Sequence, residues 1–397
     1  MSLLELILWL SLATVAYTYV GYGLVLWLLV RVRSALGLGP RVMDRTDPEV
    51  AAYEPEVTLV VAAYNEERDI LQKLENSLAL DYPREKLRLL FVTDGSTDRT
   101  PQLLLGYPGV QLLHRAGRAG KIAAMNRAMT YVETPIVIFS DANAMLNREA
   151  VRHIVKHYAD PAVGAVSGEK RIRSADADAA SGAGEGLYWR YESALKRLDA
   201  RLHTVVGAAG ELFSLRTDLF HPSEPDTILD DFMLTLRVAE QGYRVAYATD
   251  ATATELPSAT VEDEFKRKVR ICAGGFQSIA RLTSLLNPVR HGWTTFQYVS
   301  HRVLRWAVAP PLLAVALVAN FALGLDGGFY AALYGAQTAF WLLALLGWRL
   351  RDRTVRVKGF FVPFYFAVMN VAAVAGFARW LRGQQSVNWE RAARATA

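Results

Sequence analysis

The sequence predicts an α/β domain built on a mixed, mostly parallel sheet, with transmembrane α-helices towards both ends of the chain. Two observations carry this expectation. Of the 397 residues 52% are hydrophobic, and these concentrate before residue 31 and after about residue 303, while the middle has the composition of a water-soluble domain. Within that middle, short apolar runs alternate with helical segments, the pattern of strands laid in parallel with helices on the faces of their sheet.

Residues 6–30 carry no charge, and 25 such residues exceed the roughly 20 that a helix needs to cross the hydrocarbon core of a bilayer. Glu5 precedes the run and Arg31 and Arg33 follow it, unlike a cleaved signal peptide. Residues 1–30 are therefore expected to be an anchor whose C-terminal end faces the cytoplasm. Residues 31–56 lack periodicity and read as a linker. A domain follows over 57–258. Its expected strands are 57–63, 87–93, 110–113 and 135–140, with helices at 66–80 and 122–131. It continues through an apolar stretch at 164–168, a helix at 185–203, a segment at 205–215, a helix at 229–241 and a strand at 243–248.

Residues 259–302 turn helical, with the basic cluster Lys266, Arg267, Lys268 and Arg270 and with Phe276, Ile279, Leu282 and Leu285 at helical spacing. Amphipathic helices at a membrane surface suit that pattern. Residues 303–380 contain uncharged runs at 306–325, 327–348 and 359–378, which gives two to three further spans. The first two are joined by a turn at Asp326, Gly327 and Gly328. Arg349, Arg351, Arg353, Arg356 and Lys358 crowd the next loop and place it in the cytoplasm. For the third run two readings stay open. A span would carry Arg379, Arg382, Arg391 and Arg394 outside, whereas Pro363 and Asn370 suit a re-entrant or interfacial element. Residues 381–397 form a tail.

The net charge of +5 fits loops beside anionic lipid, and no basic patch with base-reading aromatics points to nucleic acid. Cys272 is the single cysteine, which excludes an intramolecular disulfide and a cysteine-rich zinc site.

Three strand ends present carboxylates: Tyr64-Asn65-Glu66-Glu67, Thr93-Asp94-Gly95-Ser96-Thr97-Asp98 and Ser140-Asp141-Ala142-Asn143. One such acid is usually a helix cap, and capping is the preferred role of Asp98. Several converging on the carboxyl edge of a parallel sheet repel one another unless a cation or donor lies between them. The turn Gly117-Arg118-Ala119-Gly120-Lys121 brings two cations and flexible backbone to the same edge, as a diphosphate requires.

The set Ala63 to Glu66, Asp94 to Asp98, Gly117 to Asn126, Ser140 to Asn143 and Asp230-Asp231, in that order over residues 57–280, resembles glycosyltransferase family 2. The family includes membrane-bound synthases of cellulose, hyaluronan and poly-N-acetylglucosamine. The resemblance implies a GT-A fold, inversion at the anomeric carbon, and a nucleotide sugar used with a divalent metal, Mg²⁺ or Mn²⁺. It implies that Ala63, Tyr64, Asn65, Glu66, Asp94 and Gly95 line the nucleotide and that Lys121 faces it. Asp141 matches the first acid of the family's DxD motif, and Asn143 stands where the second acid is often found. Asp231, after Asp230, matches the general base. Arg267 to Ile271 occupies the place of QxxRW in processive members, with Arg267 for Gln, Arg270 retained as a donor-phosphate contact and Ile271 for Trp. Gly207, Gly210, Glu211 and Leu212 resemble the acceptor segment.

The expected activity is transfer from a nucleotide sugar, a UDP-sugar first, to a glycan or lipid-linked acceptor at the inner (plasma) membrane by a cytoplasmic domain of a multi-pass protein. A processive synthase aided by an oligomer or an accessory secretion subunit is the alternative, although Ile271 removes a stacking platform and points to short products. An inactive nucleotide-sugar-binding scaffold is the reading from another class.

Overall fold

The computed structural model describes residues 1–41, 43–172, 180–256, 260–325, 327–350 and 358–386. Asp326 in the expected turn, Arg351, Arg353 and Arg356 of the basic loop, and Arg391 and Arg394 of the tail lie outside the described residues.

Eight strands form one sheet: β1 Val57–Ala63, β2 Leu87–Asp94, β3 Val110–Arg115, β4 Ile136–Asp141, β5 Met145–Leu146, β6 Val163–Ile172, β7 Leu212–Arg216 and β8 Arg244–Glu255. Their order is β3-β2-β1-β4-β7-β6-β8-β5. β3, β2, β1 and β4 run parallel, β7 lies antiparallel to β4 and β6, and β6 is parallel to β8. β1 is central and covered on both faces, which is why it reads as an unbroken apolar run. Alternate residues serve different cores: Val60 joins one cluster with Leu90, Val137 and Phe139, and Leu59 and Val61 join another with Leu89 and Phe91.

The longer helices, in chain order, are α1 Leu3–Ala35, α2 Ile70–Leu78, α3 Lys121–Met129, α4 Ala180–Leu202, α5 Asp230–Glu240, α6 Val261–Arg281, α7 Trp293–Gly324, α8 Gly328–Arg349 and α9 Lys358–Leu381. Four helical stretches are long and apolar enough to cross a membrane: α1, α7, α8 and Val362–Leu381 of α9. Both α1 and α7 contain π-helical turns, Tyr17–Gly21 and Val299–Val308.

Several expectations change. The linker begins later, since α1 runs to Ala35, and it holds a short helix Pro48–Ala52 capped by Asp47. The segment 205–215 is a loop followed by β7, and the strand expected to stop at 248 runs to Glu255. α6 does not lie on a membrane surface by its apolar face alone. Cys272 and Phe276 belong to the main core together with Phe232, Tyr298 and Trp306, and Phe276 packs on Phe377 and Trp380 of α9 at 4.9 and 6.0 Å. The apolar face seen in the sequence is spent on protein, so sheet and membrane helices share one core.

The ends of α9 both lie towards the sheet domain. Leu26 and Val30 of α1 pack against Leu195 and Leu202 of α4, so the C-terminal end of α1 is the one near the sheet. The far end of α1 meets the start of α8, where Tyr330 donates to Glu5 at 2.9 Å. α8 therefore ends near the sheet, and there Gly347 lies against Phe360 and Phe364 at the start of α9. Phe377 and Trp380 at the other end of α9 rest on α6.

Candidate active site between the sheet and the membrane helices

At the end of β2, Asp94 is buried, and its Oδ2 accepts from the backbone N–H groups of Ala119 and Gly120, both at 2.7 Å. One carboxylate thus fixes the turn that delivers Lys121. Gly95 is required beside it: its φ is 72°, and a Cβ would meet the Arg118 backbone at 2.7 Å. At the end of β1, Asn65 adopts φ 54°, accepts from Thr97 N–H at 2.8 Å and donates its own N–H to Ser96 at 3.1 Å. Glu66 N–H reaches Thr100 at 2.8 Å. Arg118 lies 3.7 Å over the Tyr64 ring, while Ala63 is buried in β1. Asp98 accepts from Thr100 N–H at 2.9 Å and Glu67 N–H at 3.1 Å, so it ties these two turns together as a cap.

Lys121 Nζ sits 2.7 Å from Asp141 Oδ1 and 2.9 Å from Asp230 Oδ2. Burial opposes its charge, but the two carboxylates outweigh that and hold its pKa above the usual lysine range. Beneath Asp141, a lysine outside every motif holds the turn. Lys73 is fully buried and donates to Ser140 Oγ at 2.7 Å and to the Ala144 carbonyl at 2.5 Å, fixing the turn that carries Asp141 and Asn143. Burial pushes its pKa down to about 7, against the pull of Asp141. The signal available was a cation on the stripe Ile70, Lys73, Leu74 and Ser77 of an amphipathic helix.

Asp230 and Asp231 open α5. Burial, then the neighbouring Asp230 charge, push the Asp231 carboxyl up to about 7. Gly210 lies against Asp231, its Cβ direction 3.5 Å from the carboxylate. Arg270 is half-buried and donates to the Ile228 carbonyl at 3.1 Å, just before the acid pair. Glu211 is ion-paired with Lys170 at 2.5 Å and lies 3.9 Å from Arg267. Burial alone would raise its pKa, and Lys170 and Arg267 reverse that to well below the carboxylate range.

A cavity of about 530 Å³ joins these groups to the membrane helices. Lys121, Asp141, Gly210, Glu211, Asp230, Asp231, Arg267, Arg270 and Ile271 line one part, and Tyr19 of α1, Trp306 of α7 and Tyr365, Phe366, Met369 and Ala373 of α9 line another. Two acceptor-segment residues are elsewhere. Gly207, at φ 86°, is packed by Phe232, which a Cβ would meet at 2.3 Å, and Leu212 is core at the start of β7. The smallness of Gly207 thus serves packing. Phe276 is in the core and Trp293 stacks on Arg33 at 5.3 Å, whereas Trp189 of α4 and Trp306 line the cavity. Neither stands in a sequence motif.

Among the described residues no three His, Cys, Asp or Glu side chains form a closed metal cage. The donor set instead fits a hard cation bound through one or two carboxylates and completed by ligand phosphates and water. Asp141 and Asp230 share the single ammonium of Lys121, which leaves negative charge for such an ion to balance.

The eight-stranded sheet that carries this strand-end acid cluster has the GT-A fold. The mannosyltransferase PcManGT from Pyrobaculum calidifontis, solved with GDP-Man and Mn2+, superposes over 96% of this chain and 100% of its own with TM-score 0.70 and 24% identity. Residues 58–221 match the model of glycosyl transferase family 2. The chain is 28% identical over 73% of its length to a beta-monoglucosyldiacylglycerol synthase of Synechocystis, covering 65% of that protein. It is also 28% identical over 59% of its length to a poly-beta-1,6-N-acetyl-D-glucosamine synthase of Staphylococcus aureus, covering 58% of that one. The chain therefore spans less than two thirds of these relatives.

Proposed function

We propose that this enzyme transfers a sugar from a nucleotide sugar, with inversion, to a hydroxyl of a membrane-borne acceptor that enters the cavity between α1, α7 and α9. The observation that carries the reading is the continuity of that cavity from Asp141 and Asp231 to the apolar faces of Tyr19, Phe366 and Met369. The nucleotide would rest on Ala63 to Glu66, Asp94 and Gly95, beside the turn ending in Lys121. Asp141, with Asn143 next to it, would hold a divalent cation whose chemistry is to neutralise the diphosphate. Lys121 and Arg270 add positive charge at the same place.

Asp231 removes the acceptor hydroxyl proton as the hydroxyl oxygen bonds to the anomeric carbon. The bond from that carbon to the diphosphate oxygen breaks in the same displacement, and the pair leaves with the nucleoside diphosphate. A raised pKa suits the task, because the base then has real affinity for the proton it takes.

The sheet domain is read as cytoplasmic, with α1, α7 and α8 crossing the inner membrane and α9 lying along its inner face. That arrangement supports the interfacial alternative for 359–378 and keeps Arg379 and Arg382 on the same side as Arg31 and Arg33. The lipid relative adds weight to a lipid acceptor, while the polysaccharide relative and the cavity aromatics Trp189 and Trp306 favour the processive alternative.

The test is a donor screen with the full chain in detergent, following nucleoside diphosphate release and the mass of the product. Release accelerated by added lipid supports the reading. Release that is indifferent to lipid but driven by soluble oligosaccharide refutes the membrane-borne acceptor.

A further inference from the structure

α4 turns one face towards the cavity, with Trp189, Glu192 and Lys196 all lining it. Glu192 is buried and saturated: Arg302 reaches it at 2.7 Å, Arg305 at 2.9 Å and His301 at 3.3 Å. Lys196 is different. It is 4% exposed, and among the described residues no hydrogen bond or ion pair to it occurs; its ammonium lies 5.9 Å from the Tyr247 ring centre. Asp231 and Glu211 line the same cavity and act on the Lys196 charge without pairing with it, and Glu211 is already paired with Lys170 at 2.5 Å.

A mostly buried ammonium that opens on a cavity without an anionic partner is poorly compensated and available to an anionic ligand. Burial accordingly pushes the Lys196 pKa down, with Arg302 adding to the effect and Glu192 opposing it. Such a group persists where binding uses it, in the way sites commonly give up stability for function. Three cations, Lys196, Arg302 and Arg305, thus face the cavity across one acid, Glu192. The wall beyond them is apolar, formed by Trp306, Phe366 and Met369. An ammonium and a guanidinium above an apolar wall match the two halves of an anionic amphiphile.

We infer that the membrane end of the cavity binds the phosphate of a lipid headgroup, with Lys196 and Arg302 as its ligands and the chain lying along Phe366 and Met369. The inference rests on the reading that the acceptor enters from this end, and it narrows that acceptor to a phosphate-bearing lipid. A neutral glyceride would leave Lys196 uncompensated. The phosphate ligands proposed here, Lys196 and Arg302, are different residues from Lys121 and Asp141, which are proposed for the donor diphosphate.

The experiment uses the full chain in a neutral maltoside detergent with monododecyl phosphate as the probe. Calorimetric titration compares it with dodecanol, which lacks the phosphate, and with inorganic phosphate, which lacks the chain. Monododecyl phosphate should bind at least about tenfold more tightly than either. Lys196→Gln should weaken it about tenfold, Lys196→Arg should restore it, and Lys121→Gln should leave it unchanged. Because the substitution removes a buried charge, Lys196→Gln should melt at the same temperature or a few degrees higher, which separates lost binding from lost folding. Equal binding of dodecanol or of inorganic phosphate overturns the inference, as does weakening by Lys121→Gln without weakening by Lys196→Gln. Nucleotide release measured on the same preparation keeps the two readings apart. Its absence counts against the glycosyltransfer reading, whereas release without Lys196-dependent phosphate binding counts against this one alone.

Discussion

At the carboxyl ends of β1, β2 and β4 the residues proposed for the nucleotide and the cation sit at a strand end or in the short turn after it, held by hydrogen bonds such as those from Ala119 and Gly120 to Asp94. The opposite wall draws Trp189, Gly210, Asp231, Arg302 and Met369 from five separate segments. Local backbone can present a phosphate site because the ligand binds main-chain N–H groups and a few charges. A wall that receives a large acceptor has no such local solution, and it is assembled by packing. Damage should therefore be local and donor-specific on the first side, and spread over several helices on the second.

The largest expected effect tests where the two walls meet. Asp231→Asn should lower turnover about a thousandfold with donor affinity kept, since the amide cannot accept the hydroxyl proton; near-normal turnover in single-turnover kinetics would remove Asp231 from the role. Chelation should abolish activity, and Asp141→Ala should cost at least about a hundredfold in kcat/KM at saturating Mn²⁺, measured by nucleotide release. Activity unaffected by chelator would break the metal reading. On the donor side alone, Asp94→Asn removes the charge from two short hydrogen bonds and should raise donor KM roughly tenfold to a hundredfold, with acceptor KM unchanged. A matching rise in acceptor KM would erase the contrast between the walls.

Acid separates activity from folding. With the Asp231 pKa raised to about 7, turnover should rise with pH through neutrality and fall below it. Stability follows a different group: burial pushes His157 down from its ordinary 6.5 to about 4. The unfolded chain then binds the extra proton between those values, so the stabilisation is complete above about 6.5 and is lost as pH falls towards 4, about 2 kcal/mol of it by pH 5. His157→Gln should flatten the acid slope of the melting temperature without moving the activity profile. The smallest effect belongs to the acceptor wall. Trp189→Leu keeps apolar bulk but loses the aromatic face, worth about 1 kcal/mol, so acceptor KM should rise a few-fold while donor KM stays fixed. If instead product length collapses in a sizing assay, Trp189 has taken over the platform that Ile271 lacks.

Much of this protein was determined by sequence alone. The apolar runs at both ends, the strand and helix alternation after residue 57 and the acids closing β1, β2 and β4 are local patterns, because burial on both faces of a strand and turns at its end leave their mark within a few residues. The resemblance to glycosyltransferase family 2 was legible for the same reason. What tertiary structure decided is who faces whom. α6 looked like a surface helix because amphipathicity records that one face is buried and not what buries it; the answer, the sheet domain and α9, lies in contacts across more than 90 residues. Gly207 looked like room for a sugar until Phe232 filled it. Lys73, Trp189 and Lys196 carried no motif, since a lone cation or indole on a helix has the same spelling whether it faces solvent, core or a cavity. Only the packing of α4 against α1, α7 and the sheet turns Lys196 inwards, and burial without a partner is a property of the fold and not of the residue.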